Sequence, residues 1–162
     1  HPVTEMVTGV DLVKEQIRIA AGAKLPFGQD NIKIRGAAIE CRINAEDYEN
    51  GFLPSPGKIS FYSPPGGPCV RLDTHVYAGY QITPHYDSLV GKLIAYGKDR
   101  REAIQTMRRA LDEFIIEPIK TTIPFHRRVM RNPAFLKGEF STDFVEKLLG
   151  EKGEAVLESK GA

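Results

Sequence analysis

Residues 36–47, GAAIECRINAED, constrain the fold more than any other stretch because they alternate with a period of two. The small or apolar positions are Ala37, Ile39, Cys41, Ile43 and Ala45. The polar positions between and after them are Glu40, Arg42, Asn44 and Glu46. Such alternation predicts a half-buried β-strand with its apolar face on a core. It leaves open whether the polar face meets only water or a ligand.

Further strands and helices are indicated on both sides of this stretch. Residues 88–97, SLVGKLIAYG, predict a long strand, and shorter ones are expected at 31–35, 58–62 and 69–73. Four helices are predicted. The first follows a Thr8/Asp11 capping box, and the others cover residues 99–117, 124–131 and 142–149, the last with Ser141 as N-cap. This order predicts an α+β fold, a mostly antiparallel sheet with helices packed against it.

Composition excludes several classes of function. The 162 residues carry a formal net charge of +1, which gives no general attraction to nucleic acid or anionic membranes. The arginines at 100–101, 108–109 and 127–131 are interleaved with acids and have no aromatic platform, so a solvated helix face is expected there. No apolar run reaches the roughly 20 residues that span a bilayer.

Metal and nucleotide motifs are also missing from the sequence. Its four histidines form no H-x-x-x-H or H-E-x-x-H pattern, and neither C-x-x-C nor a phosphate-binding glycine loop occurs. Cys41 lies on the apolar strand face and is expected to be a small buried side chain. A disulfide with Cys69 is neither required nor ruled out by the spacing.

Arg42 is the candidate binding residue on the polar strand face. Arginine is permanently charged and presents a planar fork of donors that suits oxyanions. The acids and the amide around it would fix its rotamer. Both interpretations remain open on the pattern alone: an oxyanion site, or a solvent-facing strand of alternating charge. Residues 86–88, Tyr-Asp-Ser, could cap the strand that follows or place the Asp87 carboxylate beside Arg42.

Five blocks, in the same order, resemble one family. They are HPVTEMVTGVDLVKEQIRIAAG, IECRINAED, FLPSPGKI, YDSLVGKLIAYG and the IKTTIPFH segment. Together they are similar to the C-terminal domain of biotin carboxylase, the ATP-dependent component of acetyl-CoA, propionyl-CoA and pyruvate carboxylases. The resemblance covers residues 1–149 and leaves 150–162 as an expected flexible tail.

The resemblance implies an ATP-grasp ligase in which ATP and bicarbonate give carboxyphosphate, which delivers CO2 to N1′ of biotin on a carrier protein. It places ATP, Mg2+, a glutamate base and a catalytic arginine mainly upstream of His1. The chain is therefore expected to be an inactive fragment of a longer enzyme, whose partners are the ATP-grasp portion, the biotin carboxyl carrier domain and a carboxyltransferase. A cytoplasmic or organelle-matrix location is expected.

The resemblance also implies roles for three residues. Arg42 matches the arginine that contacts bicarbonate and the ureido oxygen of biotin, so it is the expected catalytic residue. Asp87 matches a residue that lines the same cleft. Arg71 matches an arginine at a homodimer interface, although Pro68 stands where the family can carry a phenylalanine, which leaves that contact in question. A binding or dimerisation module without catalysis stays open as the alternative, and the final carboxyl acceptor is not specified.

Overall fold

Six helices occur in the computed structural model, which describes residues 1–150. They are α1 (Pro2–Thr8), α2 (Leu12–Ala20), α3 (Arg100–Glu113), α4 (Ile123–Val129), α5 (Pro133–Lys137) and α6 (residues 144–150). Short 3-10 turns cover Gln29–Asn31 and Tyr48–Asn50. Over the described residues, each helix is too short or too polar to cross a membrane.

Within residues 1–150, nine strands form one three-stranded sheet and three short pairs. They are β1 (Ala37–Asn44), β2 (Glu46–Asp47), β3 (Leu53–Pro54), β4 (Gly57–Lys58), β5 (Phe61–Ser63), β6 (Val70–Thr74), β7 (Gln81–Ile82), β8 (Leu89–Gly97) and β9 (Ile115–Glu117). The central sheet has the order β1–β8–β6. The pairs are β2–β3, β4–β7 and β5–β9, and every pairing is antiparallel.

The core of residues 1–127 lies between the central sheet and α3, which packs on β8 and β1. Alternation on β1 buries Cys41 and Ile43 and leaves Arg42 exposed between them. The buried face of α3 follows helical spacing and consists of Ala103, Ile104, Met107, Ala110 and Leu111. The predicted α+β class, with a mostly antiparallel sheet and packed helices, is confirmed.

The predicted helix over 99–117 is right at its start and wrong at its end. The Asp99 side chain caps α3 by accepting a hydrogen bond from the Glu102 backbone N–H at 2.9 Å. The helix ends at Glu113, and residues 115–117 form β9, which pairs with β5. Two consecutive β-branched isoleucines, Ile115 and Ile116, fit a strand better than a helix.

The N-terminal region departs most from the sequence prediction. Residues 2–8 form α1, which was not predicted, and Asp11 rather than Thr8 caps α2, accepting from the Lys14 backbone N–H at 2.9 Å. The strand expected at 31–35 is absent from this described stretch. No neighbouring strand runs beside it, and Ile34 is 78% exposed, so its alternation has no sheet to join.

Residues 128–150 belong to a second compact unit that contains α5 and α6. Asn132 caps α5 by accepting from the Ala134 backbone N–H at 2.9 Å. The rings of Phe135, Phe140 and Phe144 pack together. The expected helix over 142–149 is present as α6 but begins at residue 144. Ser141 is not its side-chain cap as expected, because its hydroxyl donates to the Asp143 carboxylate. Helix α5 was not predicted. The expected tail falls almost wholly on residues 151–162, which lie outside the described residues, and the 1–149 domain boundary stays a prediction.

Candidate active site

The Arg42 side chain projects from the polar face of β1 and is exposed. Arg42 lies opposite Lys92 of β8 in the antiparallel register. It is exposed, and over residues 1–150 its guanidinium makes no hydrogen bond or ion pair. The expectation that Glu40, Asn44 and Glu46 hold its rotamer is therefore wrong, because the Asn44 amide instead donates to Glu46 at 3.1 Å.

The Arg42 backbone, in contrast, is held from the edge of β1 that does not face β8. The Thr122 hydroxyl donates to the Arg42 carbonyl at 2.9 Å, and His126 Nε2 lies 2.9 Å from the same oxygen. Because a carbonyl oxygen only accepts, Nε2 must carry a proton. The Asn44 backbone N–H donates to the Thr122 hydroxyl at 3.0 Å, and the Thr122 N–H donates to the Asn44 carbonyl at 3.0 Å.

Thr122 and His126 reach this edge because Thr122 immediately precedes α4 and His126 lies four residues later, within its first turns. The Thr122 carbonyl accepts the His126 backbone N–H at 3.0 Å, so one helical turn aligns both side chains. Thr122 is 4% exposed, the only buried polar side chain among the described residues. Burial lowers the pKa of His126 below its ordinary value of 6.5, against a smaller opposing effect of the bond to the Arg42 carbonyl.

A second set of contacts holds Ser88 beside residues 45–46 and Asp87 at the start of β8. Glu46 accepts hydrogen bonds from the Asn44 amide and from the Ser88 hydroxyl. The Ala45 backbone N–H also donates to the Ser88 carbonyl at 2.7 Å. Asp87 accepts from the Leu89 backbone N–H at 2.8 Å and so caps the start of β8.

Arg42 and Asp87 line the same open depression, with a volume of about 400 Å³. Its other lining residues are His75, Tyr80, Ile82, Thr83, Tyr86 and Leu89. The Tyr80 ring meets His75 edge to face at 5.2 Å between centroids, and Tyr86 is 85% exposed. The depression therefore combines one free cation, one carboxylate and aromatic surface, which suits a flat anionic or strongly dipolar ligand.

Comparison with known proteins shows the family. The model of the biotin carboxylase C-terminal domain matches residues 40–147, which is more than half of the chain. The chain belongs to the biotin carboxylase C-terminal domain family. A second model, the ATP binding domain of the carbamoyl-phosphate synthase L chain, matches residues 1–27.

Full-length relatives of this biotin carboxylase domain are about three times longer than the chain. It is 62% identical to a biotin carboxylase from Nostoc sp. over 91% of its own length and 33% of that protein. It is 59% identical to one of the subunits of pyruvate carboxylase from Methanothermobacter thermautotrophicus, over 91% of its own length and 30% of the relative. The chain thus spans about a third of the curated relatives it matches.

Solved biotin carboxylase structures have the same fold. One is a dimer of the biotin carboxylase domain of Hydrogenobacter thermophilus 2-oxoglutarate carboxylase, in complex with MgADP, ADP and bicarbonate. The match has a TM-score of 0.90 and 47% identity, and it covers 92% of this chain and 34% of that one.

Arg71 of this biotin carboxylase domain lies on β6, across the central sheet from β1, and does not line the depression. Its guanidinium donates to both carboxylate oxygens of Asp73, at 2.8 and 2.7 Å, and to Glu5 at 2.8 Å. Hydrogen bonds to Asp73 and then to Glu5 raise its pKa. The arginine expected at a dimer contact is therefore already paired within its own chain.

The remaining sequence expectations concern metals and thiols. Among residues 1–150, no group of three or more His, Cys, Asp and Glu side chains is placed to hold a metal ion. Both cysteines are free thiols, Cys41 buried and Cys69 exposed. Sequence reasoning missed His75, Tyr80, Thr122 and His126 as residues around Arg42. The four-residue spacing of Thr122 and His126 was the available signal, but nothing in the sequence linked it to β1.

Proposed function

We propose that this chain is the C-terminal part of a biotin carboxylase and completes the active site for ATP- and bicarbonate-dependent carboxylation of biotin on a carrier protein. The observation that carries the proposal is the unpaired Arg42 guanidinium, exposed in a depression shared with Asp87. The family to which the chain belongs supports it. By itself the chain is inactive.

Arg42 acts in this proposal as a clamp for negative charge. Biotin supplies N1′ as the carboxyl acceptor, and loss of the N1′ proton builds negative charge on the ureido oxygen. A fixed guanidinium beside that oxygen stabilises the transition state more than the ground state. The same planar donors suit bicarbonate. The free guanidinium fits both groups, and the exposed Tyr86 ring provides apolar surface beside them.

Nucleotide and Mg2+ are assigned mainly to the ATP-grasp portion upstream of residue 1. No described cluster of side chains fits Mg2+. The ATP binding domain model matches only residues 1–27, one short end of the chain. This supports assigning most of the ATP-binding portion to other residues of the enzyme.

The partners proposed are the ATP-grasp portion, a biotin carboxyl carrier domain, a carboxyltransferase and a second copy of the enzyme. Relatives include proteins named only as biotin carboxylase and one of the subunits of a pyruvate carboxylase. The final acceptor is therefore a property of the carboxyltransferase, with acetyl-CoA carboxylase and fatty acid biosynthesis as one case. The proposed location is the cytoplasm or an organelle matrix.

The test is Arg42→Ala in the full-length biotin carboxylase that carries this domain, measured with free biotin, bicarbonate and ATP. Loss of one preorganised oxyanion donor should lower carboxylation by about 10²–10³-fold. Arg42→Lys should recover part of this loss, because the ammonium keeps the charge and loses the planar fork.

Arg101→Ala is the matched control, since Arg101 is also exposed but lies on α3, outside the depression. Melting temperatures should stay close to wild type for all three variants, because exposed side chains contribute about 0.5 kcal/mol or less. Wild-type carboxylation by Arg42→Ala would disprove the assignment.

A further inference from the structure

Within residues 1–150 the Arg42 side chain has no hydrogen-bond or ion-pair partner, yet a preorganised cation must be held in place. A long exposed arginine samples many rotamers, and a displacement of about 1 Å at a reacting centre can cost on the order of 100-fold in rate. Arg42 has no side-chain contact of its own to prevent this in the described part of the chain. Its direction therefore depends on the backbone from which it projects.

That backbone lies beside an irregularity. The pairing of β1 with β8 shifts register between Ile43 and Asn44, immediately after Arg42. An irregular strand end bends more easily than a regular ladder, and here it is also an edge without a neighbouring strand. The contacts that cover this edge come from Thr122 and His126.

The Arg42 carbonyl oxygen accepts both hydrogen bonds. Thr122 supplies a hydroxyl donor and His126 an imidazole donor, each 2.9 Å from the oxygen. Thr122 also bonds Asn44 on the far side of the register shift, through its N–H and its hydroxyl. Its burial excludes water from competing for these bonds.

We propose that His126 and Thr122 are positioning residues for Arg42, which fix its carbonyl on the edge of β1 and so aim its guanidinium into the depression. The inference rests on the proposed function. Neither residue touches substrate: neither lines the depression. Their effect on the reaction passes through Arg42 alone, which makes the inference testable by combining substitutions.

The experiment uses the full-length biotin carboxylase, with free biotin, bicarbonate and ATP. His126→Ala should lower kcat/KM for biotin by about 10- to 100-fold, in line with a displaced catalytic group. His126→Gln should restore most of the rate, because its amide N–H can replace Nε2–H as donor. Thr122→Val, which keeps the volume but lacks the hydroxyl, should lose activity, and Thr122→Ser should keep it.

The double variant Arg42→Ala/His126→Ala decides between positioning and general stability. If His126 acts through Arg42, the double variant carboxylates biotin at the rate of Arg42→Ala alone. A structural role predicts that the His126 loss recurs in full on the Arg42→Ala background.

Three results would overturn the inference. They are a recurring loss in the double variant, His126→Ala and Thr122→Val within twofold of wild type, or failure of both to fold at the assay temperature. In each of these cases Arg42→Ala alone should still lose activity, so the proposed function survives. Wild-type activity of Arg42→Ala would overturn both proposals, because there would be no catalytic arginine to position.

Discussion

Cys41 and Cys69 are both free thiols, but their surroundings give them opposite reactivity. Cys41 is part of β1 and its side chain is buried in the core, where burial first and the neighbouring Glu40 charge second raise its pKa from 9.0 to about 12. Cys69 is exposed just before β6. Since the thiolate is the reactive form, the native protein at pH 8 should react with Ellman's reagent at Cys69 alone.

The stoichiometry of that reaction gives the check. The native protein should release one equivalent of the thionitrobenzoate dye and the denatured protein two. Cys69→Ser should release none until it unfolds. Rapid labelling of two thiols in native buffer would contradict the buried position of Cys41.

Gly97 ends β8 and lies against the backbone of the first turn of α3. A methyl group there would meet the Ala103 backbone nitrogen and lie 2.8 Å from the Glu102 carbonyl carbon, both backbone atoms that cannot rotate away. Gly97→Ala should therefore lower the free energy of unfolding by about 1–3 kcal/mol. Urea denaturation measures the change.

Gly66 provides the matched control, because a methyl group there would meet no atom within 4 Å. Gly66→Ala should leave the midpoint of urea denaturation nearly unchanged. Equal midpoints for the two variants would show that β8 and α3 can separate without cost.

At the residue scale, sequence predicted the position of Arg42 better than its environment. Alternation on β1 requires position 42 to face away from Cys41 and Ile43, so its exposure followed directly. Its lack of a side-chain partner did not follow, because the Asn44 amide could bond Arg42 or Glu46 and only the folded geometry selects Glu46.

Among the elements, α4 should make stability depend on pH through His126. Its pKa is lowered in the folded state, chiefly by burial, so the unfolded chain takes up the proton first. The stability that neutral His126 contributes is complete above pH 6.5, its ordinary pKa. It is lost as the pH falls through that value toward the lowered pKa of the folded state.

Chemical denaturation of the wild type and His126→Gln between pH 8 and 5 isolates this effect. The free energy of unfolding of the wild type should fall relative to that of His126→Gln as the pH drops below about 6.5. Titrations common to both proteins cancel in the difference. A difference that is constant over the range would contradict a partly buried, neutral His126.

Element prediction succeeded where periodicity was long and failed where pairing was needed. The sequence patterns of β1, β8 and α3 are long enough to predict these elements without reference to a neighbour. β9 pairs with β5, whereas no strand within residues 1–150 pairs with residues 31–35. A three- to five-residue pattern cannot encode whether a distant neighbour is present.

At the scale of the whole molecule, the isolated chain should not catalyse its proposed reaction. The described residues offer no metal-ligand cluster and the sequence has no phosphate-binding loop. Purified protein should release no phosphate from ATP above background, with or without bicarbonate and biotin.

The full-length biotin carboxylase, assayed in parallel, is the positive control for this prediction. Bicarbonate-dependent ATP cleavage by the isolated chain would contradict the division of the active site proposed above. Circular dichroism should show that the inactive sample is folded, so that inactivity cannot be attributed to denaturation.

The bond between Thr122 and the Arg42 carbonyl joins residues 80 positions apart, and it sets an order of events during synthesis. At about 5–20 residues per second, a ribosome needs roughly 4–16 s after making Arg42 to deliver its partner. During that interval the outer edge of β1 presents open backbone groups to any other strand. A nascent chain that stalls before residue 122 therefore carries an uncovered strand edge, and we expect ribosome-bound intermediates of that length to recruit chaperones more than longer ones do.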